Sequence, residues 1–373
     1  MEKMCYALCM QIVVQNPYLS TWIFTILLIA AAIFSIRKKK DDGLLTLSVT
    51  QELKGFAILA VVFSHIGYFL VTDNHFLYPL STIAGVGVNL FLFLSGFGLI
   101  MSSLTKNISI FEFYKKHLSK IYIPLWISLA IFFVLSFFIA HTGYSMPYIL
   151  RSFAGIFTSA DLFKDINSPL WFITFIVFYY LLFPIIFSKK YPWISAIILY
   201  LLTYIIIWNN PAIIQNVIYL YNVHIIAFPL GMCLAYILSR SKITAYLKKI
   251  TATMNTPLYL VLICGLLFGI GYTAYFSGVG QSVFLESSIS MITVFLLILL
   301  FIIKKVRIEL LYLLGLYSFE IYLIHWPIMY HYDLFYQYLP PWLATISYLG
   351  LFLILGFILQ KISKRTKLVS FRF

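Results

Sequence analysis

Eleven continuous apolar runs divide the chain, near residues 19–36, 56–72, 82–103, 121–140, 170–188, 192–208, 223–239, 257–276, 284–303, 309–331 and 342–361, with short polar breaks between them. Each is close to the roughly 20 residues that a helix needs to cross a hydrocarbon core of about 30 Å. Unbroken apolarity over that length predicts helices, because barrel strands alternate in polarity and run to only about ten residues. The predicted fold is therefore an all-α polytopic membrane bundle of about eleven transmembrane helices.

Composition agrees with the pattern. The 373 residues are 62% hydrophobic and only 10% charged, with a mean hydropathy of +0.97. Such a chain lacks the polar shell of a soluble globule, and a disordered chain or coiled coil is excluded with it. Of 26 Lys and Arg residues, 23 fall in alternate breaks; the other set holds only Lys3, Arg151 and Lys164. That asymmetry is the positive-inside signature, and it predicts the N-terminus outside and the C-terminus inside. The net charge of +14 is thus a topology signal with a secondary attraction for anionic membrane lipid, and nucleic acid is not a predicted partner.

The first apolar run follows Asn16-Pro17 and precedes its basic cluster, which predicts a retained helix rather than a cleaved signal. Cys5, Cys9, Cys233 and Cys264 show no metal-ligand spacing. Cys5 and Cys9 lie on the predicted outside and are in reach of each other. The longest predicted outer loop, about 141–169, carries Tyr144, Tyr148, Arg151, Asp161, Lys164 and Asp165, a place for a polar ligand or for a lid.

Ionisable groups inside spans are costly and face protein or a water-filled cavity. His65, Glu320 and His325 are the ones singled out here, with Asn89, Ser95 and Tyr322 as neutral companions. Lys54 and His65 are eleven residues apart, which on a helix leaves them about 20° apart on one face with a rise of roughly 16 Å. A cytoplasmic cation and a mid-membrane imidazole would then line one wall, although a histidine bonding helix to helix fits as well. The stretch Gly85 to Gly98 has the small residues of close helix packing. Ser318, Tyr322 and His325 fall within about 60° of helical arc, and Glu320 points roughly 200° from Ser318 toward a different helix. Pro327 frees a backbone carbonyl near His325.

Together these segments resemble the membrane acyltransferase 3 family. Lys54-x10-His65 is similar to its Arg-x10-His signature, Val88 to Phe97 to its FFVLSGF segment, Leu170-Trp171-Phe172-Ile173 through Tyr180-Leu181-Leu182-Phe183-Pro184 to its LWFL…YLL.P segment, and Tyr317 to Pro327 to its SYxIYLIHxP segment. The resemblance implies a ten-helix core over 46–373, with residues 1–45 an added N-terminal helix and basic loop. It implies transfer of an acyl group, usually acetyl, from cytoplasmic acyl-coenzyme A as co-substrate to a hydroxyl of a cell-surface glycan or lipid-linked sugar, in a bacterial cytoplasmic membrane. No bound cofactor or metal is implied. His65 takes the place of the essential histidine, as general base or acyl carrier, and Glu320 is a partner that tunes it if their helices adjoin.

Two departures stand out. Lys54 replaces the usual arginine, and the usual Arg-x-x-Arg before the third core helix reads His117-Leu118-Ser119-Lys120, with Lys115 and Lys116 beside it. Lysine keeps the charge for a phosphate but loses the planar two-point fork. Lys54, Lys116 and Lys120 are the candidate coenzyme A ligands, and the same lysines also satisfy the inside-positive count with no ligand at all. Ser95, Ser318, Tyr322 and His325 are candidate substrate contacts, and Trp171 is either an interfacial anchor or a sugar-stacking platform. The competing reading is a glycan transporter, flippase or polymerase, which would show the same helices and midplane polar residues.

Overall fold

The structure is a computed structural model that describes residues 12–39, 43–73, 75–106, 109–278 and 282–370. Lys3, Cys5, Cys9, Lys40 and Arg372, all weighed above, lie outside the described residues.

The chain is helical nearly throughout. The elements are α1 (Pro17–Phe34), α2 (Leu47–Ser64) continuing as a π-helical turn over His65–Leu70, α3 (Ala84–Thr105), α4 (Ile110–Phe138), the short α5 (Met146–Phe153), α6 (Trp171–Ile186) and α7 (Pro192–Trp208). After them come α8 (Ile218–His224), α9 (Ala227–Leu238), α10 (Ser241–Thr253), α11 (Thr256–Tyr275), α12 (Val283–Ile303), α13 (Glu309–Leu316), α14 (Ser318–Tyr332) and α15 (Pro341–Ser370). Nine helical stretches among the described residues are long and apolar enough to cross a membrane.

Two predicted spans come out differently. The 192–208 run is a helix of 17 residues, shorter than the other nine. The 309–331 run is not one helix: it breaks at Tyr317, where φ −114° and ψ 10° leave the helical region. Ser318 Oγ donates to the Gly315 carbonyl across the break at 3.0 Å, a local bond that competes with the helical ladder.

Several helices also begin well before their apolar runs. Thr46 caps α2 by accepting from the Val49 N–H, and Ser109 with Glu112 forms a capping box on α4. Those caps satisfy the first free backbone donors, so polar residues continue the helix inward. Lys54 consequently sits two turns inside α2 rather than at its end.

Glycines set the tightest crossings. A Cβ at Gly55 would lie 1.8 Å from the Leu311 carbonyl, and one at Gly315 would lie 1.8 Å from the Gln51 carbonyl, so α2 and α13 touch backbone to backbone. A Cβ at Gly96 would lie 2.2 Å from the Phe228 carbonyl and one at Gly231 would lie 2.0 Å from the Phe93 carbonyl, which joins α3 to α9 in the same way. The packing role read into the 85–98 stretch is thereby confirmed. Gly231→Ala is expected to destabilise the bundle by about 1–3 kcal/mol, because backbone cannot yield as a side chain can. Gly265→Ala, where an added Cβ meets nothing within 4 Å, is the matched control; equal thermal unfolding of the two variants in detergent would refute the tight crossing.

The first helix is clasped to the bundle at one end. Residues Ile36–Lys38 (β1) pair antiparallel with Val306–Ile308 (β2). The Glu309 N–H donates to the Ser35 carbonyl at 3.0 Å. Beneath this ribbon, buried Glu52 pairs with Lys304 and accepts from the Ile308 N–H at 2.7 Å, so the carboxylate carries both a countercharge and a backbone donor.

Candidate active site

A cavity of about 660 Å³ opens among α2, α3, α4, α6, α14 and α15. Six residues singled out from sequence line it: Lys54, Ser95, Lys120, Ser318, Glu320 and Tyr322. Gln360 and Lys364 of α15 join them. Three lysines against one glutamate leave the cavity positively charged, the character that phosphate groups require. Lys116 is not among the lining residues, so that candidate ligand is set aside.

Glu320 was expected to face away from Ser318 and Tyr322, but all three line the same cavity. The cause is the break at Tyr317. The cavity wraps around the first turn of α14, with α3 and α6 on one side and α2 and α15 on the other, so opposite faces of that turn both look into it. Within it Glu320 lies within electrostatic reach of Lys54 and Lys364. It is not the partner of His65.

That partner is His325. His65 Nδ1 lies 2.7 Å from His325 Nε2, with ring planes 14° apart. Neither histidine lines the large cavity, so Lys54 and His65 do not share one open wall despite their common helix face. His65 stands where α2 passes into its π-helical turn, and its own N–H still bonds the Val61 carbonyl, so it keeps the regular helical bearing from Lys54. The Trp326 ring meets His65 edge to face at 5.2 Å.

The tautomers follow from the hydrogen bonds. His325 Nδ1 lies 2.9 Å from the Tyr322 carbonyl and 3.2 Å from the Ile321 carbonyl. Carbonyls only accept, so Nδ1 of His325 carries the proton and its Nε2 offers a lone pair. With both rings neutral, His65 Nδ1–H donates to that lone pair, and the lone pair of His65 falls on Nε2. His65 is half-buried, and among the described residues its Nε2 has no hydrogen-bond partner. An oriented imidazole with a free nitrogen can take a proton from a hydroxyl or attack a carbonyl carbon.

The loop between α4 and α6 is fastened to this turn of α14. Pro327 has no N–H for the Leu323 carbonyl, and the freed oxygen accepts from Asn167 Nδ2 at 2.9 Å. Tyr322 OH donates to the Pro169 carbonyl. The predicted loop polars serve mainly as scaffold: Asp165 accepts from Ser159 Oγ at 2.6 Å and from the Asp161 N–H at 2.8 Å, and Tyr148 OH accepts from the Ile166 N–H at 2.9 Å. Burial first, and Asp165 next, push the Tyr148 phenol up, so it keeps its proton to donate to that carboxylate.

Trp171 is neither a lipid-facing anchor nor an open platform: it is 9% exposed and stacks on His224 with centroids 5.8 Å apart. His224, which the sequence reading passed over, binds Asn89 Oδ1 through Nδ1 at 2.8 Å, and Asn89 Nδ2 donates to Ser290 Oγ at 2.8 Å. The residue was visible as a lone histidine at the edge of the 223–239 run. Asn89 is thus a neutral bridge between α8 and α12.

A helical membrane protein with a cationic cavity on one side and an oriented histidine pair beside it is the class these features define. A profile of the acyltransferase domain of the acyltransferase 3 family matches residues 53–361. The chain belongs to that family and is an acyltransferase of the multi-pass membrane type. The match begins one residue before Lys54, so α1 lies outside it. Searches of curated proteins and of solved structures each found no match.

Proposed function

We propose that the protein transfers an acetyl or other short acyl group from cytoplasmic acyl-coenzyme A to a hydroxyl of a cell-surface glycan or lipid-linked sugar, in a bacterial cytoplasmic membrane. In this reading the chain crosses eleven times, with α7 and the α13–α14 pair completing the nine long spans, the N-terminus outside and the C-terminus inside. The 23 basic residues on alternate breaks support that orientation. It puts Lys54, Lys120 and Lys364 at the cytoplasmic mouth of the cavity, where they hold the coenzyme phosphates. The α4–α6 loop lies on the opposite face. Residues 1–45 are an addition clasped to the core through β1.

The observation that carries the chemistry is the contact of His65 Nδ1 with His325 Nε2, which leaves the lone pair of His65 on Nε2; His325 stands one helical turn from the cavity wall at Tyr322. His65 Nε2 takes the acceptor hydroxyl proton as the oxygen attacks the thioester carbonyl. The C–O bond forms, the C–S bond breaks, and the proton passes on to the departing thiolate, giving an ester and free coenzyme A. An acyl-imidazole route balances as well: the N–C bond forms as C–S breaks, and the acceptor hydroxyl then takes the acyl group while its proton goes to the thiolate. Ser95, Ser318 and Tyr322 line the path of the acyl end, and Glu320 balances the lysines.

Purified protein in lipid is expected to bind and consume acetyl-coenzyme A. Lys54→Gln is expected to raise KM for acyl-coenzyme A about tenfold or more with kcat little changed, the scale of one lost charge-assisted hydrogen bond. A folded protein that neither binds nor consumes any short acyl-coenzyme A would overturn the proposal and leave transport of a lipid-linked glycan as the leading reading.

A further inference from the structure

A second cavity, about 160 Å³, lies in the α4–α6 loop and is lined by Arg151, Ser159, Lys164 and Asn167, with Asp165 in the same wall. Its charges are unusual for their position. Lys3, Arg151 and Lys164 are the only basic residues on the predicted outer side, and two of them border this one cavity. The positive-inside rule disfavours cations there, so topology does not account for them.

Neither cation is spent within the protein. Lys164 lies 4.0 Å from Asp161, an exposed pair that contributes little. Among the described residues Arg151 bonds through Nε to the Pro147 carbonyl at 3.3 Å and its terminal nitrogens have no partner. Asp165 pairs with neither; its oxygens are taken by Ser159 and the Asp161 N–H.

Asn167 supplies an independent sign of a ligand. It is 4% exposed, and its Nδ2 is fixed toward the Leu323 carbonyl. The carbonyl can only accept, so the amide orientation is determined and Oδ1 is the other atom. That Oδ1 is buried without a hydrogen-bond partner, a costly state that a ligand hydroxyl would relieve. The cavity also connects to the chemistry. Asn167 holds the turn that carries His325 by donating to the Leu323 carbonyl.

We propose that this cavity is the acceptor site and that it selects an anionic sugar, with a carboxylate or phosphate on Arg151 and Lys164 and a hydroxyl donating to Asn167 Oδ1. The assignment rests on the acyltransferase reading for the word acceptor, but the binding itself can be measured without acyl transfer. In lipid nanodiscs of zwitterionic lipid, a glucuronate-containing tetrasaccharide, a phosphorylated tetrasaccharide and a neutral glucose tetrasaccharide are titrated in the absence of acyl-coenzyme A. At least one acidic probe is expected to bind about tenfold or more tightly than the neutral one, and Arg151→Gln and Lys164→Gln are each expected to remove most of that preference. Which acidic probe binds identifies the anion. Equal binding of all three sugars, binding of none, or an unchanged preference in the Arg151→Gln, Lys164→Gln double variant would overturn the site. Acetyl-coenzyme A consumption by the same preparation separates the two failures: consumption without charge preference removes the site and keeps the enzyme, and charge-selective binding without consumption does the reverse.

Discussion

Replacement of His65 by alanine is expected to lower acyl transfer by about 10²–10⁴-fold, the range a positioned acid-base group contributes. Acyl-coenzyme A binding should be retained, because His65 does not line the cavity that holds Lys54, Lys120 and Lys364. The loss therefore falls on kcat, while KM for the thioester stays near the wild-type value. Trp326 and Phe69 pack around the ring, so folding is checked by thermal unfolding, and His65→Gly with added imidazole offers a second test: partial recovery ties the loss to the missing base. Acid quench during turnover followed by mass spectrometry separates the two routes, since only an acyl-imidazole adds the mass of the acyl group to the peptide carrying His65. A His65→Ala protein that retains more than a third of wild-type kcat would remove His65 from the chemistry.

Much of this site was legible before the fold. Lys54, Ser95, Ser318 and Tyr322 each stood out as polar residues in apolar surroundings, and burial cost alone assembles such groups around a shared cavity. Periodicity also gave the spans, because a helix in lipid has to be apolar all round and long enough to cross. What periodicity does not encode is which helices adjoin. His65 and His325 are 260 positions apart, and membrane depth pointed to Glu320, near the midplane like His65, with His325 closer to the outer face. The deciding detail is a local break in regular geometry: the interruption at Tyr317 opens both faces of the α14 start to the cavity. Trp171 failed for a related reason. Its position at a helix end suggested an interface, but Tyr221 and His224 of α8 pack against its ring.

His325 is a positioning residue, and His325→Leu is expected to lower kcat by about 10²-fold, the cost of misplacing a reacting group. Leucine fills most of the volume but offers no acceptor to His65 Nδ1–H. The proton on His65 is then free to move to Nε2, and the lone pair turns away from the acceptor hydroxyl. His325→Gln supplies the control, because its Oε1 can accept from His65 at nearly the position of the lost Nε2. Glutamine is expected to recover a substantial part of the rate, with KM for acyl-coenzyme A unchanged in both variants because His325 stands outside the cavity lining. A purely structural role would instead lower folded yield and thermal stability in both variants together. If Gln and Leu at this position lose the same fraction of kcat at equal stability, the hydrogen bond that sets the His65 tautomer is not what His325 contributes, and the lone pair on Nε2 must be held by something else.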